Sequence, residues 1–208
     1  MSRTLFFSSA LSYDKICDKW YAFRKETVLN SCIADFMKQI KKGGTVLDVG
    51  CGTGYPISFF LSKQGFTVTG IDLSDKMLEK ARTLSLEKAT FLKADLMTFQ
   101  TNTLFDAVIA FDSLWHIPFE KQREIYPVLA SLTRPGGLLL FTHGNKEGEL
   151  TGTMYGEPFY YSALNTEEVH ALLSANGFEI VLCRENYEEK TTGTRDLLIV
   201  AKKSPAAF

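Results

Sequence analysis

The sequence lacks the patterns that mark membrane proteins, disulfide-stapled proteins and metal centres. No apolar run reaches the roughly 18 residues that a membrane-spanning helix needs. The four cysteines, Cys17, Cys32, Cys51 and Cys183, are scattered and form no C-x-x-C pair, which argues against a disulfide framework and against a metal site. We therefore expect no metal, no membrane contact, and reduced thiols in a cytoplasmic protein.

An excess of charge of either sign is also missing. The chain has 23 Lys and Arg against 24 Asp and Glu, for a formal net charge of −1. Because proteins bind nucleic acids largely through cationic side chains on phosphates, this balance argues against a nucleic-acid partner. Apolar material is abundant: 45% of the 208 residues are hydrophobic, enough for the core of a single domain over residues 1–208.

The segment VLDVGCGTG at 46–54 contains most of the functional information. Strand-forming residues lead into a turn with Gly50, Gly52 and Gly54, which then opens a helix. A dinucleotide-binding turn reads G-x-G-x-x-G, but the position of the third glycine is occupied by Tyr55. Asp48, directly before the turn, would repel a pyrophosphate, so it favours a positively charged ligand.

Two more acidic residues end the next two predicted strands. Asp72 lies 24 residues after Asp48, about where a βαβ unit places a ribose-binding carboxylate. Asp95 ends the following strand. Each aspartate alone is more typical of a helix cap or a turn. Because the ends of parallel strands meet at one edge of a sheet, the three together predict a ligand site at that edge.

These segments together resemble the class I S-adenosylmethionine-dependent methyltransferases of the small-molecule type. The resemblance rests on VLDVGCGTG (46–54), VTGIDLSDKML (68–78), FLKADL (91–96), FDAVIAFDSLWHIP (105–118) and LTRPGGLLLF (132–141). It implies S-adenosyl-L-methionine as cofactor and a small molecule as methyl acceptor. The residues predicted to bind the cofactor are Asp48, Gly50, Cys51, Gly52, Asp72, Leu73, Met77, Asp95, Leu96, Phe111 and Trp115.

His116 is the predicted catalytic residue, as a general base. Its ordinary pKa lies near neutrality, and it follows the fourth predicted strand at the ligand edge. Methyl transfer needs such a base only when the nucleophile arrives protonated. For Trp115, packing in the core is an equally consistent interpretation.

Substrate contacts are predicted from three other parts of the chain. His143 follows the fifth predicted strand and could face the pocket. The long connection 144–164 contains several aromatic residues, among them Tyr155 and Tyr160, which either line a substrate pocket or staple the connection to the core. Trp20 and Arg24, in the N-terminal segment, are predicted to close the pocket from the opposite side.

The order of strand and helix patterns predicts an α/β fold with a Rossmann-like, doubly wound sheet of seven strands and helices on both faces. The pattern of residues 12–41 predicts two helices, which lie within an expected N-terminal lid of residues 1–44. Residues 45–208 are expected to form the core. Pro127 lies inside a predicted helix at 119–133 and implies a kink or a displaced start there. Two last strands, at 178–183 and 196–201, have no helix between them and predict an antiparallel hairpin.

Two other functions remain open at the level of sequence. The methyl acceptor could be a tRNA or a protein, which a basic groove beside the pocket would favour. The chain could also bind the cofactor without transferring a methyl group. In each case we expect a monomer or a homodimer.

Overall fold

The computed structural model describes residues 8–189 and 193–205. Six α-helices and nine β-strands are found in these residues, besides three short 3-10 helices at Leu96–Thr98, Leu114–His116 and Phe119–Glu124. The helices are α1 (Ser9–Glu26), α2 (Ser31–Met37), α3 (Ile57–Lys63), α4 (Asp75–Thr83), α5 (Ile125–Leu132) and α6 (Thr166–Ala175). The strands are β1 (Thr45–Val49), β2 (Thr67–Asp72), β3 (Ala89–Lys93), β4 (Phe105–Ala110), β5 (Thr133–His143), β6 (Gly148–Met154), β7 (Glu157–Ala163), β8 (Phe178–Glu189) and β9 (Gly193–Lys203).

Seven strands form one sheet in the order β3-β2-β1-β4-β5-β9-β8. The pairs among β1 to β5 are parallel, whereas β9 runs antiparallel to both β5 and β8. The predicted fold class, a mostly parallel seven-stranded sheet closed by an antiparallel hairpin, is therefore confirmed. The strand order reverses between β1 and β4, which is where open α/β sheets bind ligands.

Alternate residues of the strands face two separate apolar layers. On β1, Leu47 and Val49 pack into the layer covered by α5 and α6, while Val46 packs into the layer covered by α2 and α3. This alternation places Asp48 on the face of α3. Burial on both faces explains why these strands have such apolar sequences.

Several element boundaries differ from those predicted. The predicted helix at 119–133 is a 3-10 helix followed by α5, which begins two residues before Pro127, so the displaced start is confirmed. The C-terminal hairpin is longer than predicted, because polar residues 184–189 and 193–195 continue the pairing. Most of these residues are solvent-exposed, which hides their strand character in the sequence.

The connection 144–164 is an ordered hairpin rather than a loop. Strands β6 and β7 pair antiparallel from Gly148 with Ala163 to Met154 with Glu157, separate from the main sheet. Turn residues Tyr155 and Gly156 have φ of +52° and +87°. The sequence does not indicate this hairpin, because glycine and charged residues weaken the strand pattern of β6.

Helix α1 and the β6–β7 hairpin together cover the carboxyl ends of the strands, and we call this pair the roof. The Ser12 hydroxyl donates to the Pro158 carbonyl at 2.6 Å, and Lys15 pairs with Glu157 at 2.8 Å. Helix α2 is different: Ile33 and Phe36 are buried in the layer beside the sheet. Of the predicted lid, only α1 therefore lies over the strand ends, and residues 1–7 lie outside the described residues. Within the described chain, no helix combines the length and apolarity needed to cross a bilayer.

Candidate functional site

The glycine turn after β1 passes very close to the segment that follows β4. The amides of Gly50 and Cys51 donate to the Ile71 carbonyl of β2 at 2.8 and 3.1 Å. Gly50 has φ +72°, and a Cβ at this position would lie 2.4 Å from the Cβ of Ser113. Glycine is therefore required here both by the backbone angle and by the close approach.

Two residues further on, Gly52 faces open space. It has φ +53°, and the atom nearest to a Cβ built there is the indole Nε1 of Trp20, 3.9 Å away. The Gly52 amide donates to Oδ2 of Asp72 at 2.8 Å. The turn thus leaves room next to its own backbone, where a bound molecule can approach closely.

Asp48 is a buried carboxyl group at the end of β1, only 2% exposed. Its Oδ2 accepts from the Ser58 hydroxyl of α3 at 2.6 Å. Burial raises the pKa of Asp48 to about 6, and the Ser58 hydrogen bond and the charge of Arg24 offset only part of this rise. A cation bound nearby would favour the ionised form.

The other two strand-end aspartates are held by backbone amides. Oδ1 of Asp72 accepts from the Ser74 amide at 2.8 Å, and its Oδ2 accepts from Gly52, so this carboxylate joins two turns. Burial raises the pKa of Asp72, and these amide hydrogen bonds lower it in part. Asp95 accepts from the Met97 amide at 2.9 Å. The fixed orientation leaves further lone pairs of both carboxylates for a ligand.

A cavity of about 290 Å³ lies between these strand ends and the roof. The structure brings most of the predicted site residues into its wall. From the cofactor set these are Asp48, Gly50, Cys51, Gly52, Asp72, Leu73, Met77, Asp95, Leu96 and Phe111; His116, Trp20 and Arg24 also line it. The predicted meeting of three carboxylates at one edge of the sheet is therefore observed.

Four predicted site residues lie outside the cavity wall. His143 is fully buried, with Nδ1 2.8 Å from the Gly144 carbonyl and Nε2 2.9 Å from Oε1 of Gln122. Tyr155 is 46% exposed at the tip of the hairpin. Trp115 packs against Tyr161, with ring centroids 6.4 Å apart.

Tyr160 is the fourth predicted site residue outside the cavity wall, and it is 1% exposed. The Tyr160 hydroxyl accepts from the Phe119 amide at 3.0 Å and donates to Glu149 at 2.5 Å. It therefore staples the hairpin to the core, which was the alternative interpretation. None of these four side chains lines the cavity, so the structure does not bring His143, Tyr155, Tyr160 and Trp115 to the other site residues, and their substrate and cofactor contacts stay predictions.

His116 reaches the cavity, but hydrogen bonds engage both of its ring nitrogens. Nδ1 lies 2.8 Å from the Tyr160 carbonyl, which can only accept, so Nδ1 bears the proton. Nε2 accepts from the indole N–H of Trp115 at 3.2 Å and lies 3.1 Å from the Tyr13 hydroxyl. Burial lowers the pKa of His116 to about 4, and the bond to Tyr160 offsets only part of this. The lone pair that a general base needs is therefore already occupied.

Arg24 brings a buried positive charge to the roof side of the cavity. It is 7% exposed, and its guanidinium lies 5.5 Å from the centre of the Trp20 ring. It forms no ion pair with any residue in the described part of the chain. Burial lowers the pKa of Arg24, and the charge of Asp112 raises it in part. An anionic group in the cavity would complete its environment.

The sequence analysis missed a second charged pair at the cavity. Arg195 of β9 is 7% exposed and donates to both oxygens of Asp112, from Nε at 3.0 Å and from Nη2 at 2.5 Å. Asp112 lines the cavity directly after β4 and has φ +57°, which is unusual for a residue other than glycine. No sequence signal connects the two residues, since they are 83 positions apart.

Comparison with known proteins agrees with this fold and site. Residues 46–137, just under half of the chain, match the family model described as a methyltransferase domain. The matched region contains the glycine turn and all three strand-end aspartates. The resemblance to the class I S-adenosylmethionine-dependent methyltransferases is therefore confirmed.

Individual relatives support the same placement. The chain is 35% identical over 144 residues to glycine N-methyltransferase of Rattus norvegicus, which covers 60% of this chain and 49% of that protein. It is 30% identical over 146 residues to the ubiquinone biosynthesis O-methyltransferase of Hydrogenovibrio crunogenus, covering 65% and 59%. The matches thus span about half the length of these curated relatives.

A solved structure is similar over a larger share of the chain. Magnesium protoporphyrin IX methyltransferase of Synechocystis PCC 6803, crystallised with S-adenosylmethionine, superposes with a TM-score of 0.71. The superposition covers 98% of this chain and 100% of that protein at 21% identity. At this identity the similarity concerns the fold.

Proposed function

We propose that this protein is an S-adenosylmethionine-dependent methyltransferase that acts on a small molecule. The observation that carries the proposal is the convergence of Asp48, Asp72 and Asp95 with the glycine turn on one cavity. A fold alone does not define an activity, and what supports this one is how well these groups suit the cofactor.

The amino-acid end of the cofactor carries an ammonium and a carboxylate, and the cavity offers a partner for each. Asp48 and the turn at Gly50 suit the ammonium. Arg24 and the indole N–H of Trp20 suit the carboxylate, because both line the cavity opposite the turn. This arrangement gives the buried guanidinium the anionic partner that the described residues do not provide.

The nucleoside end suits the second and third strand ends. Asp72 is fixed by two amides, and it can accept from both ribose hydroxyls through its remaining lone pairs. Asp95 can accept from the adenine amino group while the Leu96 amide faces a ring nitrogen. Leu73 and Met77 line the same part of the cavity and provide apolar contacts for the adenine.

When bound, the cofactor supplies a methyl group already activated by a positively charged sulfur. The protein then has to align the acceptor and exclude water. The roof covers one side of the cavity and would shield the transferred group from water on that side. We expect a small acceptor rather than a nucleic acid, in agreement with the near-neutral net charge. We also expect a cytoplasmic protein, as monomer or homodimer.

Isothermal titration calorimetry with S-adenosylhomocysteine tests the proposal. We expect binding at micromolar strength or better, with one site per chain. Absence of binding up to millimolar concentration would refute the proposal. Methylation of an acceptor, followed by mass spectrometry, then distinguishes an enzyme from a module that only binds the cofactor.

A further inference from the structure

Tyr13, Asp112 and His116 line the cavity beneath the roof. The Tyr13 ring is held by edge-on contacts with Phe159 and Trp20, with centroids 4.9 and 5.9 Å away. Its position is therefore fixed from several sides before any ligand binds. The methyl acceptor must lie near such pre-positioned groups if it is to meet the cofactor in a defined orientation.

The hydrogen bonds of His116 determine what the Tyr13 hydroxyl can do. Because Nδ1 of His116 is the donor to the Tyr160 carbonyl, Nε2 is an acceptor. The Tyr13 hydroxyl, 3.1 Å from Nε2, must therefore direct its only proton toward His116. Its oxygen then presents lone pairs, and no proton, to a molecule in the cavity.

None of these three residues is suited to remove a proton from a substrate. The Nε2 lone pair of His116 is occupied by Trp115 and Tyr13. Burial, together with the charges of Tyr161 and Asp72, raises the pKa of Tyr13, so it remains a phenol. Asp112 is held in a two-point ion pair, in which both of its oxygens already accept from the Arg195 guanidinium.

We propose that the methyl acceptor is a small uncharged amine whose N–H donates to the Tyr13 oxygen. This inference rests on the proposed methyltransferase function and names its substrate class. A neutral amine has both an N–H to donate and a lone pair that reacts without prior deprotonation, whereas an alcohol needs a base. The matched relatives include an N-methyltransferase and an O-methyltransferase, so similarity does not decide between the two classes.

The transfer balances without any further reactant. The nitrogen lone pair forms the new bond to the methyl carbon, and the carbon–sulfur bond breaks with its electron pair on sulfur. The product is a methylated ammonium, whose proton leaves to water. Tyr13 orients the nitrogen through its N–H, and His116 acts as a positioning residue through the Tyr13 hydroxyl.

The first experiment determines the tautomer of His116, and it needs no methyl-acceptor substrate. Nitrogen-15 NMR of the full chain with S-adenosylhomocysteine should show a proton on Nδ1 of His116 and no titration between pH 8 and pH 5. The signals are assigned by their loss in His116→Gln. A proton on Nε2, or a titration near neutrality, would make a base available and overturn the inference.

The second test compares acceptors that differ only in the nucleophilic atom. Aniline and phenol, and trifluoroethylamine and trifluoroethanol, all uncharged at pH 8, are each incubated with the protein and S-adenosylmethionine, and methylation is followed by mass spectrometry. We expect methylation of the two amines alone, because the Tyr13 oxygen can accept from an N–H or an O–H but only the amine reacts without a base. In Tyr13→Phe the kcat/KM for the amines should fall by about 10-fold with an unchanged Kd for S-adenosylhomocysteine, and Tyr21→Phe, on the same helix, should match the wild type.

The outcomes separate the two proposals. Methylation of phenol or of trifluoroethanol, or no methylation of either amine while S-adenosylhomocysteine binds, overturns the amine assignment and leaves the methyltransferase proposal standing. An unchanged kcat/KM for the amines in Tyr13→Phe also overturns it. Failure to bind S-adenosylhomocysteine refutes the proposed function itself.

Discussion

The two sides of the cavity are built in different ways. The floor, formed by the carboxyl ends of β1, β2 and β3, carries its functional groups on strand ends and fixes them mainly by nearby amides, as Ser74 does for Asp72. The roof instead depends on side-chain contacts between distant segments. The Ser12–Pro158 contact joins residues that are 146 positions apart, and the Tyr13–His116 contact joins residues that are 103 positions apart.

The difference indicates a division of tasks. Backbone amides hold Asp72 and Asp95, and the Ser58 hydroxyl holds Asp48, so the floor is suited to give affinity for the cofactor. The roof is partly fastened by an exposed ion pair, Lys15–Glu157, whose side chains are 64% and 27% exposed and which therefore stabilises little. We expect changes in the floor to alter cofactor binding, and changes in the roof to alter enclosure and stability.

The largest effect is expected from Asp72→Asn in the floor. The amide keeps the shape of the side chain but loses the charge, and its NH2 group replaces one of the two oxygens, so that either the Gly52 or the Ser74 amide loses its acceptor. We expect affinity for S-adenosylhomocysteine to fall on the order of 100-fold, about 3 kcal/mol, measured by calorimetry.

Asp75→Asn is the matched control for this variant. Asp75 is three residues away, 59% exposed, and paired with Lys93 at 2.5 Å. Its variant should bind the ligand within twofold of the wild type. A change of less than fivefold in Asp72→Asn would contradict the role of the floor as the source of affinity.

Arg24→Gln tests one of the two roof residues, Trp20 and Arg24, that we assign to the cofactor. Loss of the guanidinium should weaken S-adenosylhomocysteine binding about 30-fold, or about 2 kcal/mol, because its carboxylate loses a buried partner. Binding of methylthioadenosine, which lacks the amino-acid end, should change less than twofold. Lys25→Gln, an exposed neighbour on α1, is the control. Equal weakening of both ligands would mean that Arg24 acts on the structure of the roof.

A smaller effect is expected from pH. Since burial raises the pKa of Asp48 to about 6, the carboxyl is neutral below that pH in the free protein, and binding a ligand ammonium must ionise it. Affinity for S-adenosylhomocysteine should therefore be nearly constant between pH 7 and pH 8 and fall about tenfold between pH 7 and pH 5. Burial also raises the pKa of Asp72, so both carboxyl groups contribute to the loss of affinity at low pH. The contribution of Asp48 is the part of this loss that is absent in Asp48→Asn.

The floor could be predicted from the sequence because its information is local. Strand, turn and acidic residue are adjacent in the chain for Asp48, Asp72 and Asp95, and parallel strands end at a common edge. The parallel sheet with helices on both faces follows from the alternation of strand and helix patterns. The proton position on His116 could not be predicted, because it depends on the Tyr160 carbonyl, 44 residues away.

The roof was predicted less well, since its contacts are made between distant segments. The segment 144–164 has aromatic residues that suit a pocket and a core equally, and only the pairing of β6 with β7 determines which way each one faces. Tyr160 turns into the core, where it joins Phe119 and Glu149. Arg195 reaches Asp112 from the far end of the chain, a contact that no motif indicates.

Tyr160→Phe is expected to have the smallest effect and to distinguish the two roles of the hairpin. Removing the hydroxyl deprives the Phe119 amide of its acceptor and Glu149 of its donor, which should lower the free energy of unfolding by about 1 kcal/mol in urea denaturation. Binding of S-adenosylhomocysteine should not change, because the Tyr160 carbonyl that fixes His116 remains. Tyr155→Phe, at the exposed tip of the hairpin, should alter neither quantity. If Tyr160→Phe kept its stability but lost acceptor binding, the hairpin would line the substrate pocket after all.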